Sequence, residues 1–139
     1  MAKIYNKSDT QYYPKLYQQK ILIEKSLGDC FKCNVHLDKL KCTGILKPTD
    51  DCREFKLKVV YDFKTPPAVY VISPKIEKVK HMYSDGRLCL YYPKESPWDY
   101  RMNVSETIIP WTVHWIIYYE AWLNTGIWFG PESDHTGEK

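Results

Sequence analysis

The sequence predicts an α+β fold: an N-terminal helix, an antiparallel β-meander and C-terminal helices. Three observations predict it. Apolar residues recur at helical spacing after Pro14, alternate with polar ones from Phe31 to Ile76, and return to a helical stripe from Trp111 to Trp122. A long, turn-rich crossing between the second and third stretches completes a two-layer arrangement. The 139 residues suit one domain spanning 1–139. With 44% apolar and 27% charged residues, disorder and low complexity are excluded.

The first helix opens where Pro14 fits a first helical turn; Tyr13, Tyr17 and Ile21 follow at i, i+4 and i+8 with Leu16 beside them. Gly28 stops it. Phe31, Cys33, Val35 and Leu37 then alternate with Lys32, Asn34, His36 and Asp38, and Phe55, Leu57, Val59 and Tyr61 alternate with Lys56, Lys58 and Val60. These are half-buried strands, with turns near Asp38-Lys39 and Pro48-Thr49-Asp50-Asp51. Ala68 to Ile72 reads as a further strand, approached through the rigid Thr65-Pro66-Pro67. Lys80 to Pro97 is irregular and carries Ser84-Asp85-Gly86 and Cys89. Asn103 with Glu106 resembles a capping box. Pro110 predicts a break, with a main helix from Pro110 to Asn124 closed by Gly126. Its stripe of Trp111, Trp115, Tyr118 and Trp122 is expected to pack on the sheet.

Composition excludes several functions. Twenty Lys/Arg against seventeen Asp/Glu leave +3, too mild a surplus to name nucleic acid or membrane as partner. Lysines interleaved with tyrosines in 4–7, 12–20 and 90–94 are dispersed and form no basic stripe. No apolar run approaches the roughly 20 residues that span a bilayer, and the first ten residues lack the layout of a secretory signal. Five cysteines, an odd number, fit a reducing, cytoplasmic setting better than a disulfide framework.

Three further constellations bear on chemistry. Cys30, Cys33, Cys42 and Cys52 are four candidate thiolates for zinc, but Cys30 and Cys33 straddle a strand start and the second pair has no tight CxxC. Cys33 and Cys42 also fall in register with apolar neighbours, so the expectation is no metal and no cofactor. His114 and Glu120 lie six apart on different sides of one helix, which suits packing rather than a metal pair. Cys89 is different. It lies just past a glycine turn in a polar-flanked irregular segment, where reactive groups tend to be carried. His81, eight residues upstream, can fold back to polarise the thiol or stabilise charge on an acyl intermediate.

His81, Asp85-Gly86-Arg87-Leu88-Cys89-Leu90 and Trp98, followed by a capped helix, resemble the active-site stretch of ubiquitin-conjugating enzymes. The His-Pro-Asn element of those enzymes is missing, and His81 occupies the place of its Asn. The similarity is closer to bacterial ubiquitin-conjugating-like proteins of CBASS anti-phage operons. It runs through His81, Asp85-Gly86, Leu88 to Tyr91, Trp98, Ile109-Pro110-Trp111, Trp115, Tyr119-Glu120, Trp122, Thr125-Gly126, Trp128, Gly130, Glu132 and His135. The resemblance implies the ubiquitin-conjugating fold and a thioester on Cys89 that carries the C-terminus of a cGAS-like nucleotidyltransferase, or a ubiquitin-like partner, to an amine.

In that reading His81 supplies the oxyanion donor, or moves a proton. Arg87 or His81 favours the thiolate, Asp85 shapes the turn, and Trp98 packs beneath the segment. Glu132 and His135 sit on a tail that either returns to the site or frays. A short stand-alone form is expected, with no room for an adenylation domain, and the need for a separate activating enzyme stays open. The rival readings are a non-catalytic module on the same fold and a zinc-stabilised interaction domain.

Overall fold

The computed structural model describes residues 10–77, 81–91, 94 and 97–131. Helix α1 spans Tyr13–Leu27, with Pro14 in its first turn, and Gly28 closes it at φ +58°. A short 3-10 turn, Gly28–Cys30, leads into strands β1 (Phe31–His36), β2 (Lys39–Leu46), β3 (Phe55–Tyr61) and β4 (Ala68–Ser73). They form an antiparallel sheet in the order β1-β2-β3-β4, as a meander requires. A second 3-10 turn, Val104–Glu106, precedes helix α2, Ile108–Thr125, which Gly126 closes in the left-handed region. The general α+β layout therefore matches the one expected.

Burial follows the predicted alternation. Phe31, Leu40, Cys42, Phe55, Leu57, Val59, Tyr61 and Val69 are buried, while Lys32, Asn34, Lys39, Lys41 and Lys56 on the other face are exposed. One core joins the inner face of the sheet to Leu16 and Ile23 of α1 and to Ile108, Ile109, Trp115, Ile116 and Tyr119 of α2. Leu37 leaves the strand pattern. It sits in the β1–β2 turn at φ +54°, one residue earlier than the turn expected at Asp38-Lys39.

Four expectations need correction. Tyr13, Tyr17 and Ile21 are exposed, and the buried face of α1 is Leu16, Gln19 and Ile23. Gln19 can be buried because its amide donates to Asn103 Oδ1 (3.0 Å) and accepts from the Val104 backbone N–H (2.9 Å). Asn103 and Glu106 do not form a capping box, since Asn103 Nδ2 donates to the Glu106 carboxylate instead of the two side chains capping backbone groups. Pro110 breaks nothing: it is the third residue of α2, where its missing N–H is one of the groups a helix start leaves unsatisfied anyway. Finally, the core-facing stripe of α2 is Ile108, Thr112, Trp115, Ile116 and Tyr119, and Trp111, Tyr118 and Trp122 flank it half-buried.

Candidate active-site hairpin

Residues 81–89 fold into a narrow antiparallel hairpin. The Tyr83 N–H donates to the Arg87 carbonyl (2.9 Å) and the Cys89 N–H to the His81 carbonyl (3.0 Å), with Met82 and Leu88 bridged between them. At the tip the Gly86 N–H reaches the Tyr83 carbonyl (3.0 Å), and Gly86 takes φ +95°, a conformation that side chains rarely adopt. The Leu88 N–H donates to the Val69 carbonyl (3.0 Å), so the hairpin hangs from β4 while the Leu88 side chain enters the core. Since Met82 and Leu88 form one cross-strand pair, His81 and Cys89 form the next. Their side chains leave the hairpin on its opposite face, and Cys89 is half-buried there.

Asp85 and Arg87 brace the tip. Asp85 Oδ1 accepts the Arg87 backbone N–H (3.1 Å), Oδ2 accepts Arg87 Nε (2.9 Å), and the guanidinium lies 4.2 Å over the Tyr83 ring. Burial pushes the Asp85 carboxyl up, but the Arg87 N–H and guanidinium outweigh it and hold the group below its ordinary value. Both contacts close on the residues that flank Gly86 at the tip.

His81 is held from two sides. Its carbonyl accepts Trp115 Nε1 (3.1 Å) as well as the Cys89 N–H. Its ring, in a residue only 4% exposed, stacks on Trp128 at 4.0 Å and 17°. Trp128 in turn meets Trp115 edge-on (5.7 Å) and leans on Tyr118 (5.8 Å). The chain therefore turns back after α2 and crosses over the hairpin. Gly130 permits the return, because a Cβ there would fall 2.4 Å from the Tyr118 ring.

Trp98 is buried edge-on to Tyr61 at the end of β3 (5.8 Å, 85°). Burial pushes the Tyr61 phenol up to about 12, with the Trp98 indole pulling the other way. Glu132 and His135 lie outside the described residues, as do 4–7 of the Lys/Tyr segments.

The other candidates stand apart. His114 is exposed beside Tyr118, and Glu120 binds Arg53 instead of a histidine. Cys30 is exposed, Cys33 faces Cys42, and buried Cys52 accepts the Thr49 hydroxyl (3.2 Å). Among the described residues no three His, Cys, Asp or Glu side chains are grouped to hold a metal, and no helix is long and apolar enough to cross a membrane.

A family model described as "Type II CBASS E2 protein" matches residues 19–136. The chain belongs to this family. No curated protein matches it. Membership in the type II CBASS E2 family links the chain to CBASS anti-phage signalling and to E2-like conjugation. The match covers the whole hairpin, the sheet, α2 and the part of α1 from Gln19 onward, so the segment with the reactive-thiol context lies inside the family region. Trp115 and Trp128, which grip His81, escaped functional assignment in the sequence. Trp115 read as sheet packing, and Trp128 lies 47 residues from His81 with no local pattern joining them.

Proposed function

We propose that this chain is a ubiquitin-conjugating-type acyltransferase on the ubiquitin-conjugating fold, with Cys89 as acyl carrier. Its cargo is the C-terminus of a cGAS-like nucleotidyltransferase. The Cys89 thiolate attacks the activated carbonyl of that C-terminus, forming a C–S bond and expelling the activating group. A lysine amine then attacks the thioester carbonyl, the C–S bond breaks, and the thiolate leaves. An unperturbed thiol, with a pKa of about 8.5, is mostly protonated at neutral pH, so the site has to favour the anion. His81 supplies the donor for the oxyanion of each tetrahedral intermediate. Asp85 and Arg87 keep the hairpin tip in shape, and Trp98 supports the sheet end.

The observation that carries this reading is the pairing of Cys89 with His81 across a hairpin anchored to β4, with His81 fixed by two tryptophans. The order helix, four-stranded antiparallel meander, irregular crossing, helix supports the fold assignment. The membership in a family described as E2 supports the chemistry.

The test is single-turnover transfer from a preformed thioester. His81→Ala is expected to slow transfer by about 10² or more, the usual effect of losing one oxyanion donor, read at a temperature where the variant, which also loses a buried stacked ring, remains folded. Transfer at the unaltered rate would remove His81 from the mechanism.

A further inference from the structure

Cys33 and Cys42 stand directly opposite one another in the β1–β2 ladder. The Cys33 backbone N–H donates to Glu24 Oε2 on α1 (3.0 Å), and β1 is an edge strand, so this N–H points away from β2. In an antiparallel ladder that orientation marks a pair sharing no mutual hydrogen bonds, whose Cα atoms approach to about 4.5 Å. Disulfides accept Cα separations of roughly 4.4–6.8 Å, so this pair can be bridged without moving the strands. Both side chains lie on the inner face, Cys33 half-buried at the rim and Cys42 fully buried behind it. Contact with the Cys33 sulfur, and then burial, push the Cys42 thiol up.

The structure assigns Cys33 and Cys42 as a thiol-oxidation site that hydrogen peroxide closes into a cross-strand disulfide. Oxidation begins at Cys33, the reachable member. Its sulfur attacks a peroxide oxygen, the O–O bond breaks, and water leaves as Cys33 becomes a sulfenic acid. The Cys42 sulfur then attacks Cys33. The S–S bond forms, the S–O bond breaks, and the departing hydroxide takes the Cys42 proton as a second water. Two thiols lose two electrons and one peroxide gains them. Cys42, protonated and buried, resists peroxide itself, while its fixed position beside Cys33 makes the second step effectively intramolecular. Cys30 lies before the strand and Cys52 in the loop ahead of β3, and neither faces Cys33 in the ladder. The site is independent of the proposed role of Cys89.

The test treats the full chain with hydrogen peroxide, blocks remaining thiols, and maps tryptic peptides. The expected product joins peptide 33–39 to peptide 42–53, with fragmentation placing the bridge on Cys42 and a dithiol reductant reversing it. Cys30→Ser and Cys89→Ser keep this product and Cys42→Ala loses it. Since the bridge is read in the unaltered chain, poor folding of Cys42→Ala does not blunt the test. A bridge from Cys33 to Cys30, Cys52 or Cys89, or Cys33 carried on to sulfinic acid with no bridge, would overturn the assignment.

Discussion

At the scale of single residues, the best-determined group of the site is His81. The Cys89 N–H, the Trp115 indole and the Trp128 ring all contact it. The two backbone contacts survive any change of side chain at 81, whereas Trp128 stacks on the ring itself. Trp128→Ala is therefore expected to slow transfer about tenfold or more by loosening the imidazole, and Trp128→Phe to restore most of the rate by keeping a stacking face. Equal single-turnover rates in all three proteins would reduce Trp128 to packing. The sequence made His81, Asp85 and Cys89 visible because a glycine turn and an eight-residue return are local features. The tryptophan clamp was invisible because its parts meet only once α2 and the chain beyond it are in place.

Among elements, the strands were the most legible. Lys/apolar alternation along β3 leaves a single way to bury Phe55, Leu57, Val59 and Tyr61 together. The helices were harder, since each carries apolar residues on more than one face. On α1 the apolar Tyr13, Tyr17 and Ile21 face outward, while polar Gln19 is taken inside by partners 84 and 85 residues away. No periodicity can register hydrogen bonds of that range. Gln19→Ala would leave the buried Val104 N–H without its acceptor and break the tie between α1 and the turn before α2. A loss of about 1–3 kcal/mol is expected, read as a lower urea midpoint at unchanged slope. An unmoved midpoint would mean that the amide contributes nothing net.

Across the whole molecule, the loop before β3 is joined to α2 through Arg53 and Glu120. Glu120 accepts the Arg53 backbone N–H (3.0 Å) and pairs with the guanidinium (2.8 Å). Its side chain is only 13% exposed, against 49% for Arg53. The hydrogen bonds from Arg53 hold the Glu120 carboxyl below its ordinary value near 4.5, despite partial burial. A carboxyl depressed by folding stabilises the fold at pH values above 4.5, and that contribution is lost as pH falls through its lowered value. Glu120→Gln should therefore cost roughly 0.5–1 kcal/mol at pH 7 and progressively less in acid. Denaturation of both proteins at pH 7 and across the acid range below 4.5 checks it, and a gap that widens in acid would reverse the assigned sign.

The central assignment, Cys89 as acyl carrier, is tested most directly by intact mass after co-expression with a cGAS-like nucleotidyltransferase and any activating enzyme encoded beside it. Cys89→Ser is expected to trap the partner as an ester stable to thiols, or to form no adduct, and Cys89→Ala to form none, both with the fold intact. A conjugate that still accumulates with Cys89→Ala would contradict the account.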